Sequence, residues 1–220
     1  MELRSQAVRI PIGKFELDAD QELPRAGRGI VLFAHGSGSG RRSPRNRLVA
    51  SHLHDRGFGT LLLDLLTEAE ASVDEVTATY RFNIPLLQDR LLAATDWVTG
   101  RPESKGLPIG YFGASTGGAV AMIAAAERPE AVGAIVLRGA RTDLGDSAAP
   151  SIRCPTLVLV GGNDPPIRQV NAETMRRLRC EKELVVIPGA SHLFEEAGAL
   201  EAVANRTAGW FDRYLRPTRE

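Results

Sequence analysis

Gly113, Ser115 and Gly117 form a G-x-S-x-G pattern within Ile109-Gly110-Tyr111-Phe112-Gly113-Ala114-Ser115-Thr116-Gly117-Gly118. An apolar strand pattern runs there directly into a small-residue helical pattern. That spacing suits a nucleophilic serine, because a sharp strand-to-helix turn lifts the hydroxyl above the sheet while glycines two positions away avoid collision with neighbouring backbone. About 0.1 matches arise by chance in a chain this rich in glycine. The match falls at a junction where it has mechanical meaning.

A hydroxyl needs a base to become a nucleophile, and the chain has four histidines. His52 and His54 are two apart on a predicted helix and point to different faces, which marks them as surface or partly buried residues. His192 follows an apolar strand pattern through Pro188-Gly189-Ala190-Ser191. This puts it on a loop at a strand's carboxyl end, where α/β sheets place ligands, although a loop histidine that merely caps a turn would look the same. The acid that orients the imidazole has two candidates. Asp164 closes the Gly161-Gly162-Asn163-Asp164-Pro165-Pro166 turn, and Asp143 lies beyond the preceding strand. The tight turn favours Asp164, whose bland alternative is to cap the helix that the two prolines open.

The resulting chain order is Ser115, Asp164, His192, with steps of 49 and 28 residues. Serine, acid, histidine is the order of the α/β-hydrolases and differs from those of the two large serine-protease families. The sequence resembles that superfamily, and more narrowly its small dienelactone-hydrolase-like members, from Ile30 to the last helix. The resemblance implies a mostly parallel, doubly wound sheet of seven or eight strands. It also implies an acyl-enzyme mechanism with Ser115, Asp164 and His192 as the catalytic residues. Dienelactone hydrolases themselves use a cysteine where Ser115 stands, so the resemblance carries architecture rather than that particular substrate.

An oxyanion hole needs two backbone N–H groups, one of them from Thr116, directly after the nucleophile. The resemblance places the other on Ser37 in His35-Gly36-Ser37-Gly38-Ser39-Gly40, with Gly38 as the neighbouring alternative, and makes His35 a structural anchor of that loop. The same loop has a rival reading as a dinucleotide site, with Asp64 as the ribose-binding acid. The fingerprint fails, because its third glycine position is occupied by Arg41. Arg41 and Arg81 are the candidates, with Gly38, for contacting substrate. Arg41 belongs to a cluster with Arg42, Arg45 and Arg47, and relatives acting on dienelactone pair an arginine with the substrate carboxylate, although arginines opening an exposed helix are ordinarily solvated. Residues 141–155 are too few for the helical cap of many α/β-hydrolases, which implies an open site for small soluble acyl substrates.

The elements that must carry these residues read as alternating strands and helices, the pattern of a parallel sheet covered on both faces. Strands are predicted at 8–12, 30–35, 60–65, 109–113, 134–138, 156–160 and 184–187. Helices are predicted at 45–56, 86–99, 116–127, 167–178 and 195–214. Gly13 offers a hairpin between the first strand and residues 14–17, and 65–82 reads as a long loop or short irregular helix.

The 220 residues comprise 43% hydrophobic and 25% charged residues, as expected for one globular domain spanning the chain. Twenty-seven basic residues balance 27 acidic ones, so no global field draws in nucleic acid or anionic membrane. The two cysteines lack metal or redox spacing and are expected to be reduced. No secretory h-region and no long apolar run are present, which points to a cytoplasmic protein. No metal-ligand spacing and no complete nucleotide fingerprint occur, so neither metal nor cofactor is expected. The resemblance implies a monomer or homodimer. The expected activity is hydrolysis of small carboxylic esters, lactones or thioesters. Acyl transfer, peptide cleavage by the same triad, and a non-catalytic binding module are the alternatives.

Overall fold

A computed structural model describes residues 3–216. Its centre is an eight-stranded sheet in the order β1-β2-β4-β3-β5-β6-β7-β8. The strands are β1 (Leu3–Ile12), β2 (Phe15–Pro24), β3 (Ile30–Ala34), β4 (Gly59–Leu63), β5 (Ile109–Ala114), β6 (Val132–Arg138), β7 (Thr156–Gly161) and β8 (Lys182–Ile187). β1 and β2 pair antiparallel with each other, β2 pairs antiparallel with β4, and all other pairs are parallel.

Six α-helices connect or flank them: α1 (Pro44–Asp55), α2 (Glu68–Thr77), α3 (Ile84–Gly100), α4 (Thr116–Glu127), α5 (Pro165–Arg177) and α6 (Ala199–Tyr214). The sheet divides two apolar layers. Ile30, Leu32 and Ala34 of β3 face a core built with α3, α4 and α5, whereas Val31 and Phe33 face one built with α1 and α6. β3, β4, β5 and β7 are buried along their whole length, which is why they read as unbroken apolar runs. Between β6 and β7 lie two short 3₁₀ turns, Thr142–Leu144 and Asp146–Ser151, and no separate cap.

Three elements exceed the sequence expectation. β1, expected at 8–12, begins at Leu3 because it pairs with β2 along its whole length. The hairpin at Gly13 (φ 57°) forms, but its second strand runs to Pro24, with Leu17, Ala19, Gln21 and Leu23 inward and acidic residues between them. Residues 68–77, expected as loop or irregular helix, form α2 with Thr67 and Glu70 as a capping box. The last helix starts at Ala199 rather than Glu195, because Phe194 (φ 57°) and Gly198 (φ 77°) take left-handed conformations that a right-handed helix does not contain.

No helix among the described residues is long and apolar enough to cross a membrane. Cys154 and Cys180 are both free thiols, and burial pushes the Cys154 thiol up to about 12.

Candidate active site

The strand order reverses between β3 and β5: from β3 the chain moves outward to β4, then returns to place β5 on the other side of β3. A crevice opens at the carboxyl ends of strands at such a switch point. Ser115 ends β5 at this crevice, and the His35–Gly40 loop ends β3 beside it.

Ser115 has φ 50° and ψ −120°, a left-handed backbone strained for a residue with a Cβ. Its neighbours explain how the turn holds. A Cβ on Gly113 would lie 2.6 Å from the Gly117 carbonyl oxygen, and one on Gly117 would run into the carbonyl oxygens of Ala34 and His35. Ser115 N–H donates to the Arg138 carbonyl at 3.1 Å, and Arg141 N–H donates to the Ser115 carbonyl at 3.0 Å, which ties the turn to the end of β6. Ser115 precedes α4 as its N-cap yet makes no side-chain capping bond, so its hydroxyl is not consumed by the helix.

Asp164 and His192 are brought together by two interlocked loops. Gly162 N–H donates to the Ile187 carbonyl and Asn163 N–H to the Ala190 carbonyl, both at 2.9 Å, while Asn163 Nδ2 donates to the Gly189 carbonyl at 2.8 Å. The Asp164 Oδ2 atom then lies 2.7 Å from His192 Nδ1. An ionised carboxylate can only accept, so Nδ1 carries the proton and Nε2 presents its lone pair. Asp164 makes no side-chain capping bond to α5, although it occupies the N-cap position. Asp143 is instead held by Arg141 at 2.7 and 2.9 Å.

His192 and Ser115 line one cavity of about 170 Å³ with Gly36, Ser37, Ser39, Arg45, Arg138 and Leu193. Among the described residues no hydrogen bond joins the Ser115 hydroxyl to His192; catalytic contacts of this kind commonly tighten only around substrate. Gly36 packs so closely that a Cβ there would lie 3.0 Å from Ser115 Cβ, and this sets Ser37 next to the serine. Thr116 opens α4, where backbone N–H groups have no partner within the helix.

The loop is anchored at both ends. His35 is buried, with Nδ1 donating to the Gly36 carbonyl at 2.8 Å and Nε2 accepting from Leu65 N–H at 2.9 Å. Burial holds it below the ordinary histidine range and therefore neutral. Asp64, the acid of the dinucleotide reading, accepts from Arg41 N–H at 2.7 Å and binds the Arg41 guanidinium, which also faces Asp18 and Asp20 at 3.3 and 3.5 Å. Arg81 pairs with the buried Asp74 at 2.8 Å. Arg41, Arg81 and Gly38 line a neighbouring groove of about 1450 Å³ that borders Ser37 and Thr116, rather than the smaller cavity of Ser115 and His192. His54 lies elsewhere, buried between Thr60 at 2.8 Å and Glu22 at 3.3 Å, and His52 contacts the Leu48 carbonyl. The described residues contain no cluster of three or more His, Cys, Asp or Glu side chains arranged to hold a metal ion.

The model of the dienelactone hydrolase family matches residues 20–215. The chain belongs to that family. A dienelactone hydrolase crystal structure from Anabaena variabilis is 51% identical with a TM-score of 0.96, over 98% of this chain and 100% of that one. Est1E from Butyrivibrio proteoclasticus shares the fold at 16% identity and a TM-score of 0.79, over 93% of this chain and 97% of that one. A Mycobacterium tuberculosis protein named "Putative phosphoribosyl transferase" is 44% identical over 213 residues, 97% of this chain and 47% of its own length. The chain thus spans about half the length of the curated relatives it matches. Family membership supports hydrolase chemistry for this member of the dienelactone hydrolase family.

One residue of the cavity was missed by sequence reasoning. Arg138 ends a strand whose residues Ala134 and Val136 face the α1–α6 core, and a charged residue continuing that alternation was the available signal.

Proposed function

We propose that this protein is a serine hydrolase of small soluble carboxylic esters, lactones or thioesters. The observation that carries this reading is the placement of Ser115, on its strained turn, in one cavity with a His192 oriented by Asp164 at 2.7 Å. His192 Nε2 takes the hydroxyl proton as Ser115 Oγ attacks the carbonyl carbon, and Asp164 stabilises the imidazolium. The backbone N–H groups of Thr116 and Ser37 receive the negative charge that develops on the carbonyl oxygen. The imidazolium returns the proton to the leaving group. Water, deprotonated by His192, then releases the acid and restores the serine.

The name of the mycobacterial relative describes a whole protein of about twice this length. Intact-protein mass after treatment with a fluorophosphonate tests the reading, since serine attack on phosphorus expels fluoride and leaves a stable adduct. One adduct on the wild type and none on Ser115→Ala is expected. No adduct on a folded wild-type protein would overturn the serine mechanism.

A further inference from the structure

Asp164 fixes the His192 ring at Nδ1, but that contact does not fix the backbone from which the ring hangs. The His192 side chain is 39% exposed, so packing bounds it on one side only. That side includes Gly139 (φ 52°), where a Cβ would lie 3.5 Å from both Cε1 and Nδ1 of the ring and 3.3 Å from the His192 carbonyl oxygen. Nε2 must reach the Ser115 hydroxyl from this position, and a misplacement of about 1 Å costs up to ~10²-fold in rate.

Two features hold the backbone around His192. Phe194, two residues later, is buried in the α1–α6 layer, and its backbone takes φ 57°. An aromatic residue in the left-handed region is strained, and such strain persists only where the surroundings over-determine it. Among the described residues the non-glycine residues with positive φ are Ala78, Ser115 and Phe194, so two of the three stand in the segments that carry nucleophile and base.

The second feature is Glu196. Its Oε1 accepts from the Ser191 N–H at 3.0 Å and so closes the chain around His192, which lies between the two. The Ser191 N–H, and then its hydroxyl, hold the Glu196 carboxyl below its ordinary range, so it is ionised at neutral pH and acts only as an acceptor. Neither a strand nor a helix supplies a partner for that N–H, because β8 ends at Ile187 and α6 begins at Ala199. Glu195, the adjacent acid, pairs instead with Arg45 of α1 at 3.1 Å.

We propose that Glu196 is a positioning residue for hydrolysis: by holding the Ser191 N–H it fixes the backbone that presents His192 to Ser115, with buried Phe194 as the anchor of the same loop. This inference rests on the hydrolase reading above. Asp164 sets the tautomer of the imidazole, and Glu196 sets where the imidazole stands. Glu196 touches neither the cavity nor the reacting atoms, so its loss lowers the rate without weakening substrate binding.

Glu196→Ala, Glu196→Gln and Glu195→Gln, each in the full chain, separate this role from its rivals. With phenyl acetate, Glu196→Ala is expected to lower kcat ~10- to 100-fold at unchanged KM. Glu196→Gln keeps an oxygen that accepts from the Ser191 N–H and is expected to recover most of that loss, whereas Glu195→Gln is expected to keep the wild-type rate. All three are expected to melt at the wild-type temperature, because both acids are exposed. The proton between His192 Nδ1 and Asp164 gives a signature that needs no turnover. Its downfield NMR resonance is expected to be sharp in the wild type and in Glu196→Gln, and broadened in Glu196→Ala as a loosened ring exchanges with water.

A wild-type kcat or a sharp resonance in Glu196→Ala would overturn the positioning role and leave the hydrolase reading standing. So would equal losses of kcat in Glu196→Gln and Glu195→Gln, which mark an effect of charge, or a melting temperature that falls together with kcat, which marks a structural one. Broadening confined to Glu196→Ala, in a protein whose wild type takes no fluorophosphonate, would support the hold on His192 and overturn the hydrolase reading instead.

Discussion

Two aspartates are candidates to orient one histidine, and their hydrogen-bond partners decide between them. Asp164 directs its carboxylate to His192 Nδ1, whereas Asp143 is engaged by Arg141. Loss of the Asp164 charge removes what fixes the imidazole tautomer, so Asp164→Asn is expected to lower kcat by about 10³- to 10⁴-fold. Asp143→Asn is expected to stay near wild type. Steady-state rates on a short ester for both variants check this, and the opposite pattern would move the acid to the turn after β6. His35 shows the complementary case. Both ring nitrogens are occupied by backbone groups within the loop and at Leu65, so it holds the loop after β3 rather than moving protons.

α2 shows how an element with little apolar periodicity is nevertheless held. Thr67 and Glu70 cap its first turn, and Glu70 also receives Arg90 from α3, a guanidinium that is buried and further bonded to the Leu65 carbonyl. The Arg90 hydrogen bonds, with help from Thr67, hold the Glu70 carboxyl at about 2, below its ordinary 4.5. A carboxyl depressed in the folded state contributes stability that is complete above its unfolded value and is lost as pH falls toward its folded value. Urea unfolding is therefore expected to find the wild type more stable than Glu70→Gln above pH ~5, with the gap closing as pH falls from ~4.5 to ~2. A gap independent of pH would remove the ion pair from the account. The Thr67-x-x-Glu70 signature was present in the chain, but tracing helices by apolar spacing passes over a helix whose one buried residue is Asp74. β2 was half legible for a related reason: Leu17, Ala19 and Leu23 alternate correctly, but polar Gln21 interrupts the inward face.

Across the whole molecule, the two-layer core is closed by α6 crossing beneath the parallel strands. Phe211 is fully buried against Phe58, ring centroids 6.3 Å apart, and against Gly110, where a Cβ would lie 2.6 Å from the phenyl ring. The glycine in mid-strand and the aromatic a hundred residues later are one packing decision. Phe211→Ala is expected to cost about 3–5 kcal/mol, the usual loss for a buried aromatic, measured as a lowered chemical denaturation midpoint. A loss under about 1 kcal/mol would mean that the layer can collapse around the cavity.

Residue order alone carried the parallel sheet, because doubly covered strands must be apolar on both faces, and it carried Ser115, Asp164 and His192 as candidates, because each ends a strand at a glycine-rich or proline-rich turn. These signals are local and survive in one dimension. The choice between Asp164 and Asp143 and the diversion of Arg41 and Arg81 into carboxylates depend on which distant side chains fill the space around a charge. A sequence does not state a charge's neighbours; the packing of β3, β5, β6 and the His192 loop around one small cavity does.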